Sequence, residues 1–75
     1  MKNDEYAVVI EKGKRGYGAY VPDLPVCAAF GKTEATVRKR IKTAIAFHIR
    51  CLRDAGEPVP RPRSVVDYVK VPLAS

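Results

Sequence analysis

No stretch of this sequence approaches the roughly 20 consecutive apolar residues that a helix needs to cross a bilayer, so no membrane span is predicted. The opening residues, Met1-Lys2-Asn3-Asp4-Glu5, hold no apolar run of the kind found in secretory leaders. A cytoplasmic location is the expectation. Cysteine is scarce, with Cys27 and Cys51 the two in the chain. They form no Cys-x-x-Cys motif and read as reduced core thiols, with a single disulfide between them as the alternative. His48 is the one histidine. It falls on an apolar helix stripe with Cys51 three residues on, and a zinc site would need further ligands. It therefore reads as a core residue with a tyrosine partner (Tyr6, Tyr17 or Tyr20). No metal and no other cofactor is expected. Acids are few, 8 against 14 Lys and Arg, and they are scattered from Asp4 to Asp67. Nuclease chemistry built on paired metal ions needs converging carboxylates, and no spacing here supplies them. No catalytic residue is assigned, and the chain reads as a non-enzyme. Base-reading motifs, internal repeats and a second domain are also lacking, so residues 1–75 are read as a single domain.

What the sequence has is apolar content, 47%, and a formal charge of +6. The first is ordinary for a globular chain. The second favours acidic partners, nucleic acid included. Seventy-five residues bury only about 60% of their unfolded surface, so the chain is marginal alone and a homodimer or homotetramer is expected.

The longest element is an amphipathic helix over residues 33–55. Thr33 is suited to cap it, Glu34 suits its positive end, and Gly56 suits a left-handed residue after the last turn. Pro58 and Pro60 prevent continuation. Val37, Ile41, Ala44, Ile45, His48, Cys51 and Leu52 recur at helical spacing as one apolar stripe, with Ile45 and Leu52 expected to be buried. The opposite arc carries Arg38, Lys39, Lys42, Arg50 and Arg53, with no acid until Asp54.

Ahead of the helix, Tyr6–Glu11 and Tyr17–Val21 read as a hairpin, joined by the glycine-bracketed turn Lys12–Gly16. Gly18 within the second strand suggests a bulge or a close neighbour. Pro22-Asp23-Leu24-Pro25 reads as a rigid turn, and Val26–Phe30 as a third strand closed by Gly31. After the helix, Gly56–Arg63 holds four helix breakers and should run extended. Ser64–Val71 reads as a fourth strand. The predicted fold is α+β, of order β-β-β-α-β, an antiparallel sheet with one long helix packed on one face.

Three segments together resemble the HicB-like antitoxin domain: Tyr6–Glu11; Gly16-Tyr17-Gly18-Ala19-Tyr20-Val21-Pro22-Asp23-Leu24-Pro25-Val26-Cys27; and Gly31-Lys32-Thr33. Ala44-Ile45, Leu52 and Gly56-Glu57-Pro58-Val59-Pro60 continue the resemblance over nearly the whole chain. The resemblance implies a partial RNase H-like fold. It also implies that the protein neutralises a small RNA-cleaving HicA-like toxin by protein–protein contact. Since the sequence ends at Ser75, a stand-alone domain without an appended DNA-binding module is expected.

Two surfaces are candidates for function. Tyr17, Tyr20, Asp23 and Phe30 are the candidates for binding a protein partner. Arg38, Lys39, Lys42, Arg50 and Arg53 are the candidates for binding nucleic acid through phosphate contacts, which would be weak, salt-sensitive and blind to sequence. A basic helix back repels a basic toxin, so the two surfaces serve different partners. Lys12, Lys14 and Arg15 read as a solvated hairpin tip.

Overall fold

The computed structural model describes residues 5–73. It has three strands, β1 (Val9–Lys12), β2 (Tyr17–Val21) and β3 (Leu24–Gly31), followed by one helix, α1 (Glu34–Asp54). The strands form an antiparallel sheet in the order β1-β2-β3. Val9 stands opposite Tyr20, and Ala19 opposite Ala29. The register slips at Tyr20/Val21. The irregularity therefore lies beside the β2–β3 turn and not at Gly18, which pairs regularly with Glu11 and Phe30 and has no close neighbour.

Local signals fix the helix ends. The Thr33 hydroxyl accepts from the Thr36 amide at 3.1 Å, which satisfies one orphan N–H of the first turn. At the other end Gly56, at φ 72°, donates to the Arg53 carbonyl, and Glu57 donates to that of Leu52. This paired closure requires a left-handed residue, which glycine adopts at no steric cost. The sequence boundaries of 33–55 thus become the two caps and the residues between them.

The core lies between one face of the sheet and the start of the helix. Ala19, Val21, Leu24, Cys27, Val37 and Ile41 are buried in it, and Tyr6, Val8, Ile10, Tyr17, Ala29 and Ile45 pack around them. Gly31 permits this approach. A Cβ there would stand 2.8 Å from the Val37 amide nitrogen. Ile45 and Leu52 are half-buried and not buried as expected, because the sheet covers only the first half of the helix. The half-buried face further along is Ala44, Ile45, His48, Ile49 and Leu52, and Cys51 is exposed.

The third strand begins two residues earlier than expected, so the turn shrinks to Pro22-Asp23. The first strand is shorter, since Tyr6, Ala7 and Val8 carry no ladder. The fourth strand expected over Ser64–Val71 is not formed: residues 57–73 contain no strand. A strand exists by pairing, and this segment runs past the sheet without joining it. The single chain is therefore β-β-β-α.

Candidate functional site

Strand alternation gives the sheet two different faces. Ala19, Ala29 and Cys27 point to the helix. The other face presents two cross-strand rows, Val9–Tyr20–Ala28 and Glu11–Gly18–Phe30, with Val26 beyond them on β3. No element of the described chain covers this outer face. Val26 is 74% exposed, Phe30 55% and Tyr20 44%. Opposed residues in such rows stand about 5 Å apart, so Tyr20, Ala28 and Phe30 form one continuous apolar patch. Glu11 supplies its one acid. On the far side of β3, the Arg40 guanidinium donates to the Phe30 carbonyl at 2.9 Å.

Of the four expected partner-binding residues, Tyr20 and Phe30 meet on this face. Tyr17 lies on the helix side, half-buried against the core. Asp23 does different work. Its carboxylate accepts hydrogen bonds from the Arg63 amide (2.7 Å), the Ser64 amide (2.8 Å) and the Ser64 hydroxyl (2.8 Å). These bonds, chiefly those from the Ser64 and Arg63 amides, hold its pKa below the ordinary carboxylate value. The Tyr6 hydroxyl donates to the Pro60 carbonyl beside it. The β2–β3 turn thus clasps the proline-rich segment that leaves the helix. Pro22, Asp23, Pro25, Pro60, Arg61 and Arg63 line an open cleft of about 460 Å³ there. Sequence reading missed Val26 and this clasp. Val26 could have been found from the alternation Val26-Ala28-Phe30. The clasp joins residues 40 positions apart, and no local signal announces it.

The five basic residues do not share one surface. At about 100° per residue, Lys39 and Arg50 fall on the back of the helix. Arg38 and Lys42 flank a groove between helix and β1, and Arg53 sits near Tyr6 and Pro60. Arg38 is engaged by Glu34 at 2.8 Å, an exposed pair one helical turn apart.

Cys27 is buried, and its thiol donates to the Ala44 carbonyl at 3.7 Å. Burial raises its pKa. His48 is half-buried on the helix, and the tyrosine nearest the proline segment bonds to a carbonyl and not to it. Among the described residues, no three His, Cys, Asp or Glu side chains cluster as metal ligands. No helix there is long and apolar enough to cross a membrane.

A family model described as a HicB-like antitoxin of bacterial toxin–antitoxin systems matches residues 6–73. The chain belongs to this family. Among curated proteins, this HicB-like chain is 34% identical over 67 residues to an uncharacterized 14.9 kDa protein in the rep-hol intergenic region of Haemophilus phage HP1. The match covers 89% of the present chain and spans about half the length of the phage protein. The family is one of antitoxins of bacterial toxin–antitoxin systems.

Proposed function

We propose that this protein neutralises a small RNA-cleaving toxin of the HicA type by binding it, without catalysis of its own. In this reading it works in the cytoplasm, where such a toxin meets RNA. The observation that carries the docking surface is the uncovered apolar face around Tyr20, Val26 and Phe30 on a chain of this family. Aromatic residues are enriched at the centres of protein interfaces, and charge is depleted there. The outer face has that composition and the helix back does not. An RNase H-like relationship of the fold, implied by the resemblance, belongs to the same proposal. So does assembly into a homodimer or homotetramer.

Co-expression with a HicA-type toxin, followed by affinity capture, tests the reading. A stoichiometric complex that restores growth is expected. Phe30→Asp should weaken the complex at least 10-fold, the equivalent of about 1.4 kcal/mol, and leave the helix intact. A complex indifferent to both Phe30→Asp and Tyr20→Asp removes this face as the toxin site. Absence of any toxin complex removes the function.

A second reading assigns nucleic acid to the basic residues. The charge of +6 supports it, together with the exposure of Lys39, Lys42, Arg50 and Arg53.

A further inference from the structure

The segment that leaves the helix is held as a fixed wall. Pro58, Pro60 and Pro62 restrict its backbone to extended geometry. The Tyr6 hydroxyl donates to the Pro60 carbonyl, and the Asp23 carboxylate accepts from the Arg63 and Ser64 amides. Between this wall and the last turns of α1 lies a pocket of about 180 Å³. The Tyr6 ring, Ile49, Val59 and Pro62 give it apolar sides, and Arg53 and Arg61 line it with them. The four apolar residues are half-buried and the two arginines exposed. None of the six belongs to the outer sheet face.

The charge here has one sign. No acid lines the pocket. Among the described residues the one ion pair is Arg38 with Glu34, so no carboxylate of these residues neutralises Arg53 or Arg61. Across Pro60 and Arg61 the pocket adjoins the cleft of about 460 Å³ that Arg63 also lines. The acid of that cleft, Asp23, has both oxygens occupied. Three guanidinium groups therefore border one strip, and each has the fork geometry that takes a carboxylate by two bonds.

Size and chemistry select the occupant. Sites that enclose a whole small molecule run to roughly 300–1,000 Å³. This one is smaller and has room for one large apolar side chain. A phosphodiester backbone would satisfy the arginines but leave Ile49, Val59 and Pro62 facing water. An internal Asp or Glu would use its side chain on the charge and bring nothing apolar. A C-terminal residue with an apolar side chain carries both groups on a single Cα.

We propose that this pocket captures the C-terminus of a partner protein whose chain ends in a large apolar residue preceded by acids. The terminal carboxylate pairs with Arg53 and Arg61, and the last side chain enters between Ile49, Val59 and Pro62. The preceding acids follow the cleft towards Arg63. Capture of a C-terminal carboxylate is a recurring mode of peptide recognition. Such a partner is acidic, so it is not the basic toxin. The inference is independent of the toxin reading and of the outer sheet face.

Fluorescence anisotropy on the purified full chain tests it, in about 0.15 M salt, where exposed charges are screened beyond about 8 Å. The probe is a dye-labelled peptide of four glutamates followed by two leucines, with a free C-terminal carboxylate. Amidating that carboxylate should weaken binding about 10-fold or more, the effect of losing a hydrogen-bonded charge. Replacing the two leucines by serines should weaken it to a similar degree. Arg53→Gln and Arg61→Gln should each weaken it about 5-fold or more. Both positions are exposed, so helical circular dichroism should be retained. Tyr20→Asp and Phe30→Asp lie outside the pocket and should leave the peptide's affinity unchanged. No binding, or equal binding of the acid and the amide, overturns the proposal. A single-stranded oligonucleotide of equal charge that binds as tightly, and is lost with the same two arginines, would make this a phosphate site and overturn it too.

Discussion

Asp23 carries more of this fold than its position in a two-residue turn suggests. Both of its oxygens are occupied by the segment after the helix, so one side chain joins the β2–β3 turn to residues 63 and 64. Trypsin should report the loss of that contact. The Arg63–Ser64 bond is susceptible and its two amides are the ones held, so Asp23→Ala should speed cleavage there several-fold. The acid dependence has a definite sign. The carboxyl has a depressed pKa in the folded chain, so the clasp is complete above the ordinary carboxylate range. It is lost as pH falls through the lowered value. The amide resonances of Arg63 and Ser64 should move together in that acid limb and stay still near neutrality. The two thiols should also separate. Cys51 is exposed and Cys27 is buried with a raised pKa, so iodoacetamide should label Cys51 quickly and Cys27 only on unfolding. None of these pairings could be read from the residues themselves. Asp23 looks like a turn former in any sequence, and Cys51 sits at a helical spacing that suits the core.

Among the elements, the helix was the most legible and the last strand the least, for one physical reason. Helix ends are set by groups within four residues, as Thr33 with Thr36 and Gly56 with Arg53 show. A strand is set by a partner that lies elsewhere. Ser64–Val71 has the composition of a strand, yet it forms no ladder with the free β1 edge that it passes. Within the helix, periodicity chose the correct side but not how far along it the sheet extends. That distinction has measurable consequences. Ile41 is buried, so Ile41→Ala should cost about 2–5 kcal/mol and unfold much of a domain this small. Ile45 is half-buried, so Ile45→Ala should cost only about 1 kcal/mol, near half the transfer value of a fully buried side chain. Thr33→Ala should cost about 1 kcal/mol through the lost cap. Urea denaturation ranks all three. Equal costs at positions 41 and 45 would mean that the helix is covered further along than the single chain shows.

At the scale of the whole molecule, charge and apolar surface divide the work. Lys39 and Arg50 lie on the back of the helix, away from both the groove and the outer sheet face. Lys39→Glu with Arg50→Glu should therefore leave folding and partner capture intact. Retention of nucleic acid by the parent should be weak, independent of sequence and gone by about 0.2 M salt, and its salt slope should fall by about two in the variant. Tight, sequence-selective binding abolished by these two changes would make nucleic acid the principal partner. The net charge was plain in the sequence. Its distribution over three separate surfaces needed the fold, because Arg38 and Lys42 border an apolar groove that only the β1–helix packing creates.

The bond from Arg40 to the Phe30 carbonyl bears on how many copies can join. It occupies an outward acceptor of β3, and Pro25 removes a donor from the same strand. A sheet able to grow from both sides would template one chain after another without limit, which is the route to fibres. Here the outer edge of β3 is interrupted at Pro25 and at the Phe30 carbonyl, which makes it a poorer template for a further strand. Arg40→Ala should free that carbonyl, and turbidity that rises with concentration on prolonged incubation is the expected sign.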